Sequence, residues 1–422
     1  MSVGEALENI VRPIVPSLVR MAIKNMKKSS TLYISDTTLR DGEQMPGGTL
    51  LPHEKVEIAK ELEEIGVHSI DAGFPISHKN EIEAIREIVK SVKKPVITAL
   101  CRAKKEDIDA AYEALSEAPL HKRGVTIFIG TSPQHRKNKL RKKRQEIIDM
   151  SVDTIQYASK YFALISFASE DGSRTELDFL SELYKEAIDA GAINIGLTDT
   201  IGRFDPEEAR RYVLELYDRV ENIDKALFSI HFHNDLGMAV ANSLAAIKTG
   251  YVDICQGTFL GVGERAGNAA LEQIIGALYL STIDPEIYGK YPKKPEKIKL
   301  EKLTDLCNLI SEKTGFKVPK NQPIVGENIF RTEAGIHQDG IIKDPSTYEL
   351  FPPETFGAKR EIIVGKHSGI HGIEYAARER GFDLSKEEVR KVFNCVKEYF
   401  NDNKKMSDEK FEEIIKSVKN QI

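Results

Sequence analysis

In the segment SIHFHNDLGMA, residues 229–239, His231 and His233 stand two apart in a run that alternates like a β-strand. Residues i and i+2 of a strand share a face, so both imidazoles look the same way and Phe232 looks the other. Convergent imidazoles at a strand end are either metal ligands or a packed pair of core side chains. The choice between them rests on what else the fold brings to the same place.

Eight β-rich runs follow one another from residue 31: TLYIS (31–35), HSIDA (68–72), PVITAL (95–100), VTIFIG (125–130), ALISFA (163–168), INIGL (193–197), LFSIHFH (227–233) and VDICQG (252–257). Each leads into a helical pattern such as PHEKVEIAKELEEIG or DPEEARRYVLELYDRV. Eight such alternations in roughly 250 residues indicate an α/β chain whose fold is a (β/α)8 TIM barrel. An open doubly wound sheet is the rival, and it usually stops at five or six strands. The expected divisions are an N-terminal helix or extension (1–29), the barrel (30–284), a linker and small α/β subdomain (285–370) and a helical C-terminal subdomain (371–422). The linker is marked by DPEIYGKYPKKPEK, and helix starts are marked by Ser385, in a capping box with Glu388, and by Ser407.

Barrel chemistry sits at the C-terminal ends of the strands. The residues found there are Arg40 and Asp41 in DTTLRDGEQ, Asp71 in DAGFP, Arg102, Ser169 and Glu170 in SEDGSR, and Thr200 in TDTIG. The seventh strand ends in His231 and His233, and the eighth leads into GVGERAGNAA with Glu264 and Asn268. One Asp, two His and one Asn form a mixed oxygen and nitrogen set suited to a divalent ion such as Mn²⁺, Mg²⁺ or Zn²⁺, with positions left for a chelating substrate. With Asp41 and Asn268 at the right strand ends, the metal reading prevails over a core pair. GVGERAGN follows the eighth strand and lacks the G-x-G-x-x-G spacing, so it is read as a loop placing Glu264 and Asn268, with a phosphate cradle as the alternative.

Composition narrows the class. The chain has 422 residues, 41% of them hydrophobic and 30% charged, and a net charge of −5, with no electrostatic footprint for nucleic acid. No apolar run approaches the roughly 20 residues that span a bilayer. Cys101, Cys255, Cys307 and Cys395 show no CxxC spacing and read as reduced, cytoplasmic residues. The first 30 residues make a poor secretory signal and read as an amphipathic helix that packs on a neighbour.

In this order and at these strand ends, DTTLRDGEQ, HFHND and GxGERAGN resemble the DRE-TIM metallolyases. Within them the chain is similar to the acetyl-CoA-dependent Claisen-condensing branch of 2-isopropylmalate, homocitrate and citramalate synthases, through ENIFRTEAGIHQDGIIKDPSTYE and GKHSG to at least residue 370. The resemblance implies that Asp41, His231 and His233 hold the metal, with Asn268 as a further ligand. It implies that Arg40 stabilises developing negative charge, that Glu170 and Thr200 orient a 2-oxo acid, and that Glu264 supports Arg40 or the metal. It makes His337 in GIHQDG the base, arriving from the smaller region of the other chain of a homodimer, and acetyl-CoA the co-substrate. It also implies no leucine regulatory domain within the 422 residues. A CoA-independent metal aldolase or lyase of the same barrel group is the different-class alternative.

The oxo acid is read as 2-oxoisovalerate, ahead of 2-oxoglutarate and pyruvate. Lysine-pathway homocitrate synthases generally carry Glu at the place of Asp41, a His at Lys104, and Arg and Ser at Ser166 and Ala168. A pocket built with Ala168 suits a branched side chain, because burying an unpaired distal carboxylate costs several kcal/mol. The pattern departs from 2-isopropylmalate synthases at Thr126, Ala168 and Thr198. Arg102, Thr126, Ala168, Thr200 and Asp71 form the expected substrate-binding set. The run from His135 to Arg144, with seven Lys or Arg, is either a phosphate contact for coenzyme A or a solvated helix start. His367 is either a CoA-side contact or a turn residue, Tyr348 packs, and Cys101 is inert core.

Overall fold

The computed structural model describes residues 15–420. What the sequence suggests for residues 1–14 lies outside the described residues. Helix α1 (Val15–Lys28) precedes eight strands: β1 (Tyr33–Asp36), β2 (Ser69–Asp71), β3 (Val96–Arg102), β4 (Arg123–Gly130), β5 (Leu164–Glu170), β6 (Asn194–Asp199), β7 (Leu227–Phe232) and β8 (Ile254–Gly257). They form a closed barrel in sequential order, every pair parallel, with β8 returning to β1 through Tyr33–Ile254 and Asp36–Gly257. All eight expected strands are present, and the open-sheet alternative is excluded by that closing pair.

Helices α2 (Pro52–Ile65), α3 (Lys79–Ser91), α4 (Lys105–Leu115), α5 (Arg144–Ala158), α6 (Leu177–Ala190), α7 (Pro206–Arg219), α8 (Ala239–Ile247) and α9 (Leu271–Ile283) connect or follow the strands. Local signals account for their ends. Pro206 starts α7 where the Asp205 carboxylate accepts the Glu208 N–H. Gly66 closes α2 at φ 100°, a conformation that favours glycine. On β5 alternate residues are buried. Ile165, Phe167 and Ser169 point toward the helices, which leaves Ser166, Ala168 and Glu170 on the inner face.

Two compact units divide the described chain. The barrel unit runs to Lys299 and includes Leu306–Lys317, and the second unit takes Leu300–Asp305 and the chain from Val318 onward. At the foot of the barrel, Lys27 of α1 donates to the carbonyls of Ile223 and Ala226. The second unit pairs two short parallel strands, Arg331–Thr332 and Glu361–Ile362. Its helices Ile370–Glu379, Lys386–Asp402 and Asp408–Lys419 share a core that includes Ile373, Val392, Val396, Phe411 and Ile415. The capping box at Ser385 and the N-cap at Ser407 form as the sequence indicates.

Candidate metal centre and substrate cavity

Strand register brings the chemistry to one rim. His231 on β7 stands level with Thr198 on β6 and Gln256 on β8. His233 lies just past the strand, bridged to Asn268 in the loop after β8. The Nε2 atoms of the two imidazoles are 3.2 Å apart, and His231 Nε2 is 3.8 Å from Asp41 Oδ2. Asp41, His231 and His233 are buried and offer ligand atoms all within 4.8 Å of one another.

The electrostatics keep these groups in the form that binds a cation. Burial pushes the His231 imidazole down to about 3, helped by His233 beside it and opposed by Asp41. His233 is also lowered, chiefly by burial. For Asp41, burial works upward, but Arg40 and the two histidines hold the carboxyl well below the usual range. Two neutral rings facing one carboxylate fit a divalent cation. Asn268 spends its amide N–H groups on Asp41 Oδ1 at 2.8 Å and Val262 O at 3.0 Å, and its buried Oδ1 has no hydrogen-bond partner. Gly263, at φ 151°, passes so close that an added Cβ would stand 2.9 Å from Asp41 Oδ1 and inside 3.0 Å of Asn268 Nδ2.

Arg40 is held by carboxylates on both sides. It donates through Nη1 to Asp41 Oδ2 and through Nε to Asp71 Oδ2 at 2.8 Å, while the Thr37 hydroxyl donates to the same Asp71 oxygen at 2.9 Å. Burial outweighs Arg40 and Thr37 at Asp71, whose carboxyl is raised. Glu264 has its side chain 58% exposed and its ion pair with Arg265 at 3.6 Å, so the carboxylate beside Arg40 that is not a ligand candidate is Asp71.

A cavity of about 270 Å³ opens beside the triad, lined by Arg40, Asp41, His231, His233, Thr126, Ala168, Glu170, Thr200 and Glu264. Phe74, Leu100 and Phe128 give it an apolar flank. Thr200 accepts the Asp171 N–H at 2.8 Å, and burial pushes Glu170 up while His135 and Lys139 pull it below its ordinary range. Arg102 does not line the cavity. Its guanidinium is clamped by Asp107 in the first turn of α4 at 2.8–2.9 Å and its side chain is 45% exposed. Asp71 stands behind Arg40, not in the lining. His337 lies in the second unit, its ring centroid 4.2 Å from that of Tyr348. Sequence reasoning missed Phe74, Leu100, Phe128, Gln44, Gln256, Lys139 and Arg265 as lining residues. Inward alternation on β3 and β4 was the signal for Leu100 and Phe128, and a bare basic run concealed Lys139. A larger cavity of about 340 Å³ lies at the other end of the barrel, among Ile23, Phe162, Ile165 and Ile188, away from all of these groups.

A closed parallel barrel with an Asp–His–His set on its C-terminal rim defines a barrel protein with a candidate metal centre. The family described as HMGL-like matches residues 31–310, and the one described as homocitrate synthase post-HMGL domain-like matches residues 324–405. The chain belongs to the HMGL-like family. More particularly, it is 42% identical over 388 residues to 2-isopropylmalate synthase of Pelotomaculum thermopropionicum, covering 92% of this chain and 75% of that one. The Geobacillus enzyme of the same name is 43% identical over 90% of this chain and 72% of its own, and the Pyrococcus furiosus one 42% over 91% and 75%. Among solved structures, HMG-CoA lyase from Bacillus subtilis shares the fold at TM-score 0.57 and 20% identity, over 69% of this chain and 96% of that one. The carboxyl transferase domain of Rhizobium etli pyruvate carboxylase does so at 0.52 and 16%, over 98% and 64%.

Proposed function

We infer that this chain joins acetyl-CoA to 2-oxoisovalerate and that water then cleaves the thioester, giving 2-isopropylmalate and CoA, the acyltransferase step of leucine biosynthesis. The observation that carries the reading is the Asp41–His231–His233 triad opening on a cavity with an apolar flank, in a chain about 42% identical to 2-isopropylmalate synthases over nine tenths of its length.

In this reading Asp41, His231 and His233 hold a divalent Mn²⁺, Mg²⁺ or Zn²⁺, with Asn268 Oδ1 as a further ligand. A bound ion would polarise the ketone of a 2-oxo acid that chelates through two oxygens. Arg40, fixed by Asp71, stabilises the negative charge that develops on oxygen. Glu170 and Thr200 orient the oxo acid, Glu264 guards the cavity edge, and Phe74, Leu100 and Ala168 receive its branched side chain. Asp71 acts through Arg40, and Arg102 takes no direct part. His337, from the second unit of the other chain of a homodimer, removes the proton from the acetyl methyl. The part from 285 to 370 supplies that base, and the helices from 371 onward buttress it. The enzyme works in the cytoplasm. Following free thiol release from acetyl-CoA with a panel of 2-oxo acids tests the reading: 2-oxoisovalerate should be the best acceptor, and no thiol with any 2-oxo acid would overturn it.

A further inference from the structure

Between β4 and α5 the chain makes a π-helical turn, His135–Leu140, ended by Arg141 in a left-handed conformation at φ 55°. Such turns are uncommon and recur at functional sites. This one is anchored away from the cavity: Arg136 forks onto Glu176 at 2.8 and 3.0 Å and donates to Thr131 O at 3.1 Å. At its far end Lys139 Nζ reaches the end of β5, donating to Glu170 Oε1 at 2.7 Å and Oε2 at 2.8 Å. Both residues line the substrate cavity.

The charges around that cavity make the contact matter. Its lining carries three carboxylates, Asp41, Glu170 and Glu264, and three cations, Arg40, Lys139 and Arg265. Arg40 is engaged by Asp41 and Asp71, and Arg265 by Asp235. His135 Nδ1 lies 3.4 Å from Glu170 Oε2. Asp171, next along the chain and fully buried, is paired with Arg174. Lys139 is therefore the permanent cation on Glu170. An unneutralised carboxylate there would repel the carboxylate of an entering oxo acid.

We propose that Lys139 is a positioning residue: by gripping both oxygens of Glu170 it fixes that carboxylate at the cavity edge and cancels its charge, so that an anionic 2-oxo acid can enter. The inference rests on the reading of the cavity as a 2-oxo acid site.

The test compares the parent with Lys139→Met, Lys139→Arg and Glu170→Gln in the full chain with its metal. In Lys139→Met, KM for 2-oxoisovalerate should rise about fivefold while KM for acetyl-CoA stays. The acidic limb of the kcat/KM profile, absent in Glu170→Gln, should move up by about one pH unit. Lys139→Arg should restore both. Unchanged KM and limb in Lys139→Met would overturn the proposal. If the parent turns over no 2-oxo acid, the functional reading fails separately. Infrared titration of the carboxyl bands, with Glu170→Gln subtracted, then reads Glu170 directly: an upward shift in Lys139→Met supports the grip, and no shift overturns it.

Discussion

Gly263→Ala probes whether Asn268 really holds Asp41 in place. The backbone at 263 has φ 151°, and the new methyl would lie 2.9 Å from Asp41 Oδ1 and closer still to Asn268 Nδ2. A side chain in that conformation costs about 1–3 kcal/mol. Displacing Asn268 breaks its 2.8 Å hydrogen bond to an ionised carboxylate, worth about 1.5–3 kcal/mol. The two together come to about 2.5–6 kcal/mol. Gly237→Ala is the control, because φ there is 73° and nothing lies within 4 Å of the added Cβ, so only a backbone penalty of about 1–2 kcal/mol applies. Urea unfolding of chelator-treated protein should place Gly263→Ala below Gly237→Ala. Calorimetric titration should show metal affinity reduced about tenfold or more, as when a ligand loses its hydrogen-bonded support. If Gly263→Ala unfolds like the control and binds metal like the parent, the 263–268 loop does not position Asp41.

Further outcomes follow from the same geometry. Chelation should abolish thiol release and metal addition restore it, and His233→Ala should lose both turnover and bound metal, measured by elemental analysis. In the acceptor panel, kcat/KM should fall from 2-oxoisovalerate to 2-oxoglutarate to pyruvate. Lys104→Ala should leave that order unchanged, since Lys104 is exposed and outside the cavity lining. Mixed His337→Ala and His231→Ala chains should regain activity through hybrid dimers, and no recovery despite subunit exchange would place the base in the same chain as its metal. His231 titrates near 3 when folded against 6.5 ordinarily. Between those values the unfolded chain binds the extra proton, so stability of the metal-free protein should rise with pH by up to about 1.4 kcal/mol per unit, and His231→Gln should flatten the slope.

The barrel was legible because each strand is a short β-branched run bounded by a helix pattern, a local signal that needs no knowledge of partners. The convergence of the candidate metal triad was legible for a related reason. His231 and His233 share a strand face by spacing alone, and barrel closure sends every strand end, Asp41 included, to one rim. What escaped was decided by contacts between distant segments. Arg102 stands at a strand end like the others, yet Asp107, five residues on in the first turn of α4, claims its guanidinium. Arg40 could be paired with Glu264 in the sequence, whereas packing gave it Asp71, 31 residues away. Lys139 was one of seven basic residues in a run, and only the pairing of β4 with β5 brings its ammonium onto Glu170, also 31 residues away. Periodicity along one chain determines which face a side chain takes. Which charge it meets there depends on strand register and loop path, and these are set by the whole barrel closing at once.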